Sequence, residues 1–261
     1  FLKNIFVLHG VGVGGGSLVY ANTLLEPMKE VFCNSNWPGK DWYDKLKPFY
    51  AKAKKMLGVV SIKDEFETDK ILKNCAEKMG KLHTYKSTDV GVYFGTPNET
   101  VKDPYFNGKG PDRAGCTLCG GCMVGCRYNA KNTLDKNYLY LAQKLGTQIS
   151  AEKEVVSIKE DNGSYIVTYK KSTGILRSKN SIKAKKVIFS GGVMGSVKLL
   201  LKCKNKNFLP KLSNLLGDYV RTNSESILGV RSQSIPQNKD FTKGIAISAG
   251  FKPDDKTHIE T

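Results

Sequence analysis

The sequence predicts a protein of the α/β (α+β) class, because segments with helical and with strand periodicity occur in the same chain. Apolar side chains follow one helical stripe over residues 42–57, whereas residues 155–159 and 165–169 alternate or run apolar as strands do. A glycine-rich stretch, Gly10–Gly16, stands between a predicted strand and a predicted helix. Helices and strands therefore both contribute to the fold.

Turn residues and apolar periodicity divide the chain into its elements. Pro27 ends the first helix, and Pro48 is expected to kink or split the second, because proline lacks an amide hydrogen. Residues 86–112 are rich in Gly, Pro, Asn and Asp and predict a loop with short strands. We predict helices over 17–26, 42–57, 70–79, 133–145 and 194–202, and strands over 5–9, 155–159, 165–169, 185–190 and 245–249.

The composition indicates a globular protein with a basic surface. The 261 residues are 40% hydrophobic and 25% charged, and the net charge is +17; disorder would require fewer apolar residues. Few aromatic residues lie among the scattered lysines, so a solvated surface is favoured over a nucleic-acid site. Contact with an anionic membrane surface stays open. The sequence contains neither an apolar run long enough to span a membrane nor a signal-peptide pattern.

The cysteines and the chain ends lead to two further expectations. Four of the seven cysteines are clustered, and an odd number clustered in this way argues against a secreted disulfide scaffold. We therefore expect a reducing, cytoplasmic location. The chain begins with Phe1 and a predicted strand follows almost at once, so we expect a fragment cut at both ends. A mature chain processed at its N-terminus is the alternative.

The glycine-rich stretch is the first candidate for chemistry. Its glycines at 10, 12 and 15 formally fit the dinucleotide-binding fingerprint, and Glu30 lies twenty positions after the first. We reject that fit because the acid should end the second strand, whereas Glu30 precedes the apolar pair at 31–32 and Pro27 stops the helix early. Two interpretations remain: backbone that approaches a flavin, whose reduced ring is negative, or a tight turn that binds nothing.

The second candidate is the cysteine run, Cys116-x2-Cys119-x2-Cys122-x3-Cys126. This is the ligand spacing of a bacterial [4Fe–4S] ferredoxin, with Arg127 in place of the usual proline. In two-cluster ferredoxins the fourth cysteine serves the other cluster, so a single cluster needs a different loop or one of the remaining cysteines. Zinc fits less well, because paired zinc knuckles are usually separated by a longer loop. Iron–sulfur, zinc and metal-free cysteines all stay open.

Several segments, in family order, resemble the glucose–methanol–choline (GMC) family of oxidoreductases. Gly10–Val19 is similar to the first family signature, and Ser17–Leu24 continues as in the cholesterol-oxidase-like branch. Val11 departs from the usual basic or polar residue, and Tyr20 stands where the family has an Asn that faces the flavin. Asn22 is expected to take that role. Further similarity lies at 113–140, 155–190, 191–196, 221–225 and 257–260.

The resemblance implies part of an FAD/NAD(P)-binding-type flavin domain and part of a substrate-binding domain. Residues 1–150 would form the FAD-binding region with a cysteine-rich insertion, 151–220 its β-meander and return strand, and 221–261 the start of the substrate domain. The implied catalytic residue is Glu260, a carboxylate that accepts a proton. The implied cofactor-binding residues are Gly12, Gly14, Gly15, Gly16, Ser17, Asn22, Val155, Gly191 and Gly192.

The resemblance also implies an activity. An alcohol, with a sterol 3-hydroxyl suggested by the branch, would be oxidised through FAD, and oxygen or another acceptor would reoxidise the flavin. An iron–sulfur electron-transfer protein or dehydrogenase subunit is the rival interpretation, and a basic lipid- or nucleic-acid-binding module is a second. Family members also carry an N-terminal dinucleotide fingerprint and a C-terminal catalytic His. Since this sequence shows neither, the chain alone is expected to bind FAD poorly and to be inactive.

Overall fold

The computed structural model describes residues 7, 9–33, 37–221, 225–231, 233–234 and 236–261. The chain divides into two compact units, a larger one of residues 1–147 and 234–261 and a smaller one of residues 148–233. The mixture of helices and short antiparallel sheets confirms the predicted α/β (α+β) class. The predicted strand at 5–9 lies mostly outside the described residues, as does part of the family-like segment at 221–225.

The described part of the larger unit contains three α-helices: α1 (Trp42–Met56), α2 (Glu67–Lys78) and α3 (Tyr138–Lys144). Pro48 lies inside α1, which continues through it as one helix, so the expected split is wrong. In α2, the side chain of Asp69 accepts a hydrogen bond from Phe66 N at 2.9 Å. This bond satisfies one of the free amide groups at the start of the helix.

Two predicted helices are wrong in extent. The helix predicted over 17–26 is only a 3₁₀ turn, Gly15–Leu18, because Asn22 adopts a left-handed conformation and the chain then runs beside residues 89–91. The helix predicted over 133–145 is broken at Asn137. Its backbone is not helical, and its side chain accepts a hydrogen bond from Tyr138 N, which caps α3.

The strands of the larger unit are short and form three antiparallel sheets. Their bounds are β1 (Val60–Ser61), β2 (Lys86–Ser87), β3 (Asp89–Val90), β4 (Thr100–Val101), β5 (Arg113–Ala114), β9 (Ala249–Phe251) and β10 (Ile259–Glu260). β1 pairs with β3, β4 pairs with β5, and β9 lies between β10 and β2. The strand predicted over 245–249 thus begins only at Ala249.

The core of the larger unit consists of two small apolar clusters. One contains Ile62, Val90, Val92, Ala130 and Ile245, with Cys116, Cys122 and Cys126 packed against it. The other joins α2 to β9 through Leu72, Ala76, Ala249 and Phe251. Burial of each large aliphatic side chain contributes about 1.5–3 kcal/mol. Because the first cluster draws on residues from 62 to 245, it fixes the cysteine segment against distant parts of the chain.

Within its described residues, the smaller unit is an antiparallel meander with one α-helix. β6 (Lys153–Asp161), β7 (Ser164–Lys171) and β8 (Lys179–Ala184) pair in order, and α4 (Val193–Asn205) packs against β6. Asn162 and Gly163 both have positive φ and make the predicted turn between β6 and β7. The third strand ends at Ala184, so the strand predicted over 185–190 is wrong. Among the described residues, none of the helices is long and apolar enough to cross a membrane.

Candidate functional site

The glycine loop, residues 10–18, is a series of tight turns that ends in the 3₁₀ helix. Gly14 is buried and has φ 108°, and Gly15 has φ 57°, both in the region that favours glycine. Gly15 N donates to Gly12 O at 3.0 Å, and Ser17 N donates to Gly14 O at 3.3 Å. This helix has only four residues, so it has no helix terminus that could bind an anion. The negative charge expected on a reduced flavin would therefore interact with individual backbone amide groups of the loop.

The glycines of the loop fall into two groups according to what a side chain would meet. A Cβ at Gly10 or Gly12 would lie 2.8–2.9 Å from the side chains of Val19 or Leu18, so these two glycines permit internal packing. A Cβ at Gly15 or Gly16 would meet nothing within 4 Å. These two positions therefore leave bare, accessible backbone on the surface of the loop.

Ser17 fastens the loop to the segment after the cysteine run. Its hydroxyl donates to Gly14 O at 2.7 Å and accepts a hydrogen bond from Leu134 N at 2.9 Å. The side chain therefore holds the shape of the loop, and its predicted contact with a cofactor stays a prediction.

Lys131 joins the glycine loop to the cysteine run from within the protein. Its side chain is buried, and its ammonium donates to Leu18 O at 3.1 Å, Tyr20 O at 2.6 Å and Cys122 O at 2.8 Å. The same nitrogen lies 4.4 Å from the centre of the Tyr20 ring. Burial lowers the pKa of Lys131 to about 8. Two motifs that lie more than a hundred residues apart in sequence thus form one structural site.

A cluster of buried polar residues holds the backbone around Lys131 in place. The Arg113 guanidinium is fully buried, donates to Lys131 O at 2.8 Å and to Asn129 O at 3.0 Å, and also contacts the Asn132 side chain. The Tyr20 hydroxyl donates to Asn132 O at 2.8 Å, and burial raises the pKa of Tyr20. These bonds fix the backbone of residues 129–132 on which Lys131 is mounted.

Asn22 is fully buried at the end of the loop segment, with φ 74°. Its backbone carbonyl accepts a hydrogen bond from Gly91 N at 3.0 Å. Neither polar atom of its side-chain amide has a hydrogen-bond partner within the part of the chain that the structure describes. A buried amide in this state costs free energy unless another group satisfies it, which makes Asn22 a candidate ligand-facing side chain. Its predicted contact with the flavin stays a prediction.

The four clustered cysteines surround one small cavity of about 20 Å³. Leu118 N donates to Cys116 Sγ and Ala130 N donates to Cys126 Sγ, each at 3.4 Å. Nevertheless, nowhere in the described ranges are three Cys, His, Asp or Glu side chains grouped so that they could hold a metal ion. All four thiols are free. The geometry therefore supports neither the iron–sulfur cluster nor the zinc site that the spacing left open.

Glu260 lies in β10, opposite Gly250 of β9. His258 precedes it by two residues, and its Nδ1 is 3.5 Å from Glu260 Oε1, with both side chains about a quarter exposed. A Cβ at Gly250 would be 2.5 Å from His258 Nε2, so the glycine makes room for the imidazole. Burial, and then the charges of Lys252 and Lys86, lower the pKa of His258.

Asp69 fixes the strand that carries Glu260. Its carboxylate is 1% exposed and accepts hydrogen bonds from Phe66 N, Ser248 Oγ and, at 3.0 Å, Thr261 Oγ1. It thereby joins the start of α2, the segment before β9 and the residue after Glu260. Alternation along the strand turns Thr261 towards Asp69 and Glu260 to the other face.

The smaller unit contains the remaining predicted cofactor residues. Val155 lies in β6, beside an irregularity in its pairing with β7. Gly191 and Gly192 are exposed, and Gly192, with φ 82°, is the residue before α4. These positions stay predictions.

Three buried charged residues of the site were missed by sequence reasoning. Lys131 and Arg113 lie in a family-like segment, but among 41 Lys and Arg residues nothing marks these two as buried. Asp69 does carry a signal. An acid at the third position of a predicted helix is half of a capping box, and the helix boundary predicted at residue 70 excluded it.

Comparison with known proteins gives consistent matches. The sequence profile of the GMC oxidoreductases matches residues 109–210. The chain is 42% identical over 272 residues to a cholesterol oxidase of Acinetobacter baumannii, and the match covers 100% of this chain and 49% of that protein. It is also 42% identical over 267 residues to cholesterol oxidase of Mycobacterium tuberculosis (strain CDC 1551 / Oshkosh), covering 99% of this chain and 46% of that protein. No solved structure matches it significantly.

The match to the GMC oxidoreductase profile over residues 109–210 confirms the resemblance that the motifs predicted. The sequence is also similar to cholesterol oxidases. The chain spans about half the length of the curated relatives that it matches.

Proposed function

We propose that the protein is an FAD-dependent oxidoreductase that oxidises the hydroxyl group of an alcohol to a carbonyl, with a sterol as substrate and oxygen as electron acceptor. The match to the GMC oxidoreductase profile supports the flavin and the alcohol. The sterol and the oxygen rest on the relatives' name, cholesterol oxidase. The structural observation that carries the proposal is the bare backbone of Gly15 and Gly16 together with the unsatisfied buried amide of Asn22.

These residues fit a flavin. Backbone without side chains lets a flat ring lie closely against the loop, and an amide can both donate to and accept from the polar edge of such a ring. When bound, FAD supplies the hydride acceptor, flavin N5. Gly14, Gly15, Gly16 and Asn22 would hold its ring. In the smaller unit, Val155 and the Gly191–Gly192 pair are proposed as further contacts.

Lys131 gives this site a positive charge. Its buried ammonium is bonded to the carbonyls of Leu18 and Tyr20, directly beneath the segment between the bare glycines and Asn22. A fixed cation in a water-poor environment favours negative charge nearby. We therefore expect Lys131 to stabilise a reduced, anionic ring that lies on the loop.

Glu260 is proposed as the proton acceptor. Loss of the hydroxyl proton to its carboxylate, together with loss of hydride from the carbinol carbon, converts the alcohol to a carbonyl. Glu260 pairs with Gly250 in the sheet, and the hydrogen bond from Thr261 to Asp69 holds the next residue in place. Both contacts would restrict the movement of Glu260. His258, 3.5 Å away, is proposed to position the carboxylate. The surplus of positive charge, +17, would favour approach to anionic membranes that contain a sterol.

Flavin binding tests the loop. In the full-length protein, Gly16→Val adds a side chain where nothing lies within 4 Å, so folding should be unchanged while FAD affinity falls by at least about tenfold, since a side chain now occupies the bare surface. Gly229→Val, at another glycine with open surroundings, is the matched control. Equal FAD affinity in the two variants would refute the assignment of the loop.

Substrate oxidation tests the chemistry. Cholesterol added without oxygen should bleach the visible absorbance of the bound flavin, and admitted oxygen should restore it. Glu260→Gln should slow the bleaching by at least about a hundredfold, as expected for loss of a general base, while FAD affinity is retained. Bleaching by a primary alcohol but not by cholesterol would reject the sterol and keep the alcohol oxidoreductase.

A further inference from the structure

Cys126 occupies a special position among the clustered cysteines, because it lines two cavities. With Cys116, Cys119 and Cys122 it surrounds the inner cavity of about 20 Å³. It also lines an outer cleft of about 360 Å³, together with side chains that include Leu18, Arg127 and Lys136. A small polar molecule in the outer cleft would therefore lie beside Cys126, whereas none of the other three clustered cysteines lines this cleft. Of those three, Cys119 is exposed, and Cys116 and Cys122 are partly buried.

The surroundings of this sulfur favour its reactive form. Ala130 N donates to Cys126 Sγ at 3.4 Å. Although burial opposes the shift, backbone N–H groups that include that of Ala130 hold the pKa of Cys126 below its usual value. For Cys116, in contrast, burial raises the pKa to about 11. A thiolate is the nucleophilic form of cysteine, so Cys126 is expected to react more readily than Cys116.

We propose that Cys126 is a redox-active thiol that a peroxide in the outer cleft oxidises, and that a second thiol of the inner cavity then closes a disulfide with it. In the first step, the Cys126 thiolate attacks one peroxide oxygen, the O–O bond breaks, and hydroxide leaves, which forms a sulfenic acid. In the second step, a cysteine thiol attacks that sulfur, an S–S bond forms, and water leaves. Overall, two thiols lose two electrons and the peroxide gains them, and an external dithiol can reverse the reaction.

The disulfide would act on the glycine loop. The carbonyl of Cys122 and the carbonyls of Leu18 and Tyr20 all bind the ammonium of Lys131. Any shift of residues 122–126 on disulfide formation changes this shared contact. The proposal does not depend on the flavin, but an oxidase that makes hydrogen peroxide would supply the oxidant beside its own site.

Peptide mapping of the purified full-length protein tests the proposal. Limited alkylation with iodoacetamide near neutral pH should label Cys126 about tenfold faster than Cys75, an exposed thiol on α2. One equivalent of hydrogen peroxide should then give a disulfide that links Cys126 to Cys116, Cys119 or Cys122, and dithiothreitol should reverse it. Cys126→Ser should abolish this disulfide, while the control Cys75→Ser should leave it unchanged.

Three results would overturn the proposal. One is alkylation of Cys126 no faster than that of Cys75. Another is a peroxide-induced disulfide that lacks Cys126, or none at all. The third is stoichiometric iron or zinc in the purified protein that keeps the four cysteines from reacting until a chelator is added. Since labelling and mapping use the unmutated protein, they decide the question even if Cys126→Ser does not fold.

Discussion

Replacement of Asp69 by alanine should weaken the protein far more than its single negative charge suggests. The carboxylate holds together three segments that are distant in sequence: the start of α2 at Phe66, the segment before β9 at Ser248, and Thr261 beside Glu260. The side chain is 1% exposed, so in the folded protein its hydrogen bonds are shielded from bulk water.

The expected magnitude follows from these three hydrogen bonds. Loss of the contact with Phe66 N, a helix cap, costs about 1 kcal/mol. The two hydroxyl contacts are hydrogen bonds to a charged acceptor, worth about 1.5 kcal/mol each at the lower end of the usual range. A buried carboxylate also carries a desolvation cost, and this cost disappears when Asp69 is replaced by alanine, which offsets part of the lost hydrogen-bond energy. We expect Asp69→Ala to lower the free energy of unfolding by about 3 kcal/mol, a large share of the total for a typical domain.

Urea unfolding measures this loss, and Asp44→Ala is the control, since Asp44 is an exposed acid in the first turn of α1 and should contribute at most about 1 kcal/mol. A double-mutant cycle with Ser248→Ala should show a coupling of about 1 kcal/mol between Asp69 and Ser248. Equal losses in Asp69→Ala and Asp44→Ala, or effects of Asp69→Ala and Ser248→Ala that simply add, would refute the reasoning.

Three further predictions concern pH and backbone conformation. Because Lys131 has a pKa of about 8 in the folded state and about 10.4 when unfolded, the unfolded chain binds more protons in this range. Stability should therefore rise between pH 8 and 10 by roughly 1 kcal/mol per unit, and urea unfolding of Lys131→Met should lack this rise. His258 also has a lowered pKa, so the folded protein loses stability as the pH falls through the range in which histidine is protonated. His258→Gln should reduce this dependence of the free energy of unfolding on pH, and the same dependence in the variant would contradict the prediction. Gly14→Ala, at φ 108°, should destabilise by about 1–2 kcal/mol, whereas Gly16→Ala should change thermal unfolding little.

Apolar periodicity and turn residues in the sequence predicted those helices and strands whose formation depends on nearby residues. Strand periodicity over 155–159 and 165–169, with turn residues at 161–163, predicted the first two strands of the meander, β6 and β7. The third strand, β8, was not predicted. α1 was found from its apolar stripe. The helix after the glycine loop was wrong because the left-handed Asn22 and the pairing with residues 89–91 are tertiary effects, which override the helical preference of the local sequence.

The resemblance indicated which residues to consider for the candidate site, but the contacts that hold these residues could not be predicted from the sequence. The bare glycines and Asn22 were predicted as cofactor contacts from their similarity to a family signature, and that role stays a prediction. The structure shows open space around the glycines and a buried amide of Asn22 without a partner in the described chain. The cysteine spacing left a metal site open, but ligand spacing alone does not fix the directions of four thiols. The four cysteines line one cavity, yet they do not converge on a metal position in the described chain. The burial of Lys131 and Arg113 depends on partners far away in sequence, so local sequence carries no signal for it.

The larger unit is held together at its site by polar contacts more than by its apolar core. Its two apolar clusters are small, whereas Lys131, Arg113 and Asp69 are each buried with two or more hydrogen bonds to other segments. Buried polar bonds specify one geometry, because a displaced partner leaves an unsatisfied group. The position of the glycine loop relative to the cysteine run is therefore set by a few directional bonds. Substitutions at Lys131 should consequently alter ligand binding at the loop even where the secondary structure of the protein is unchanged.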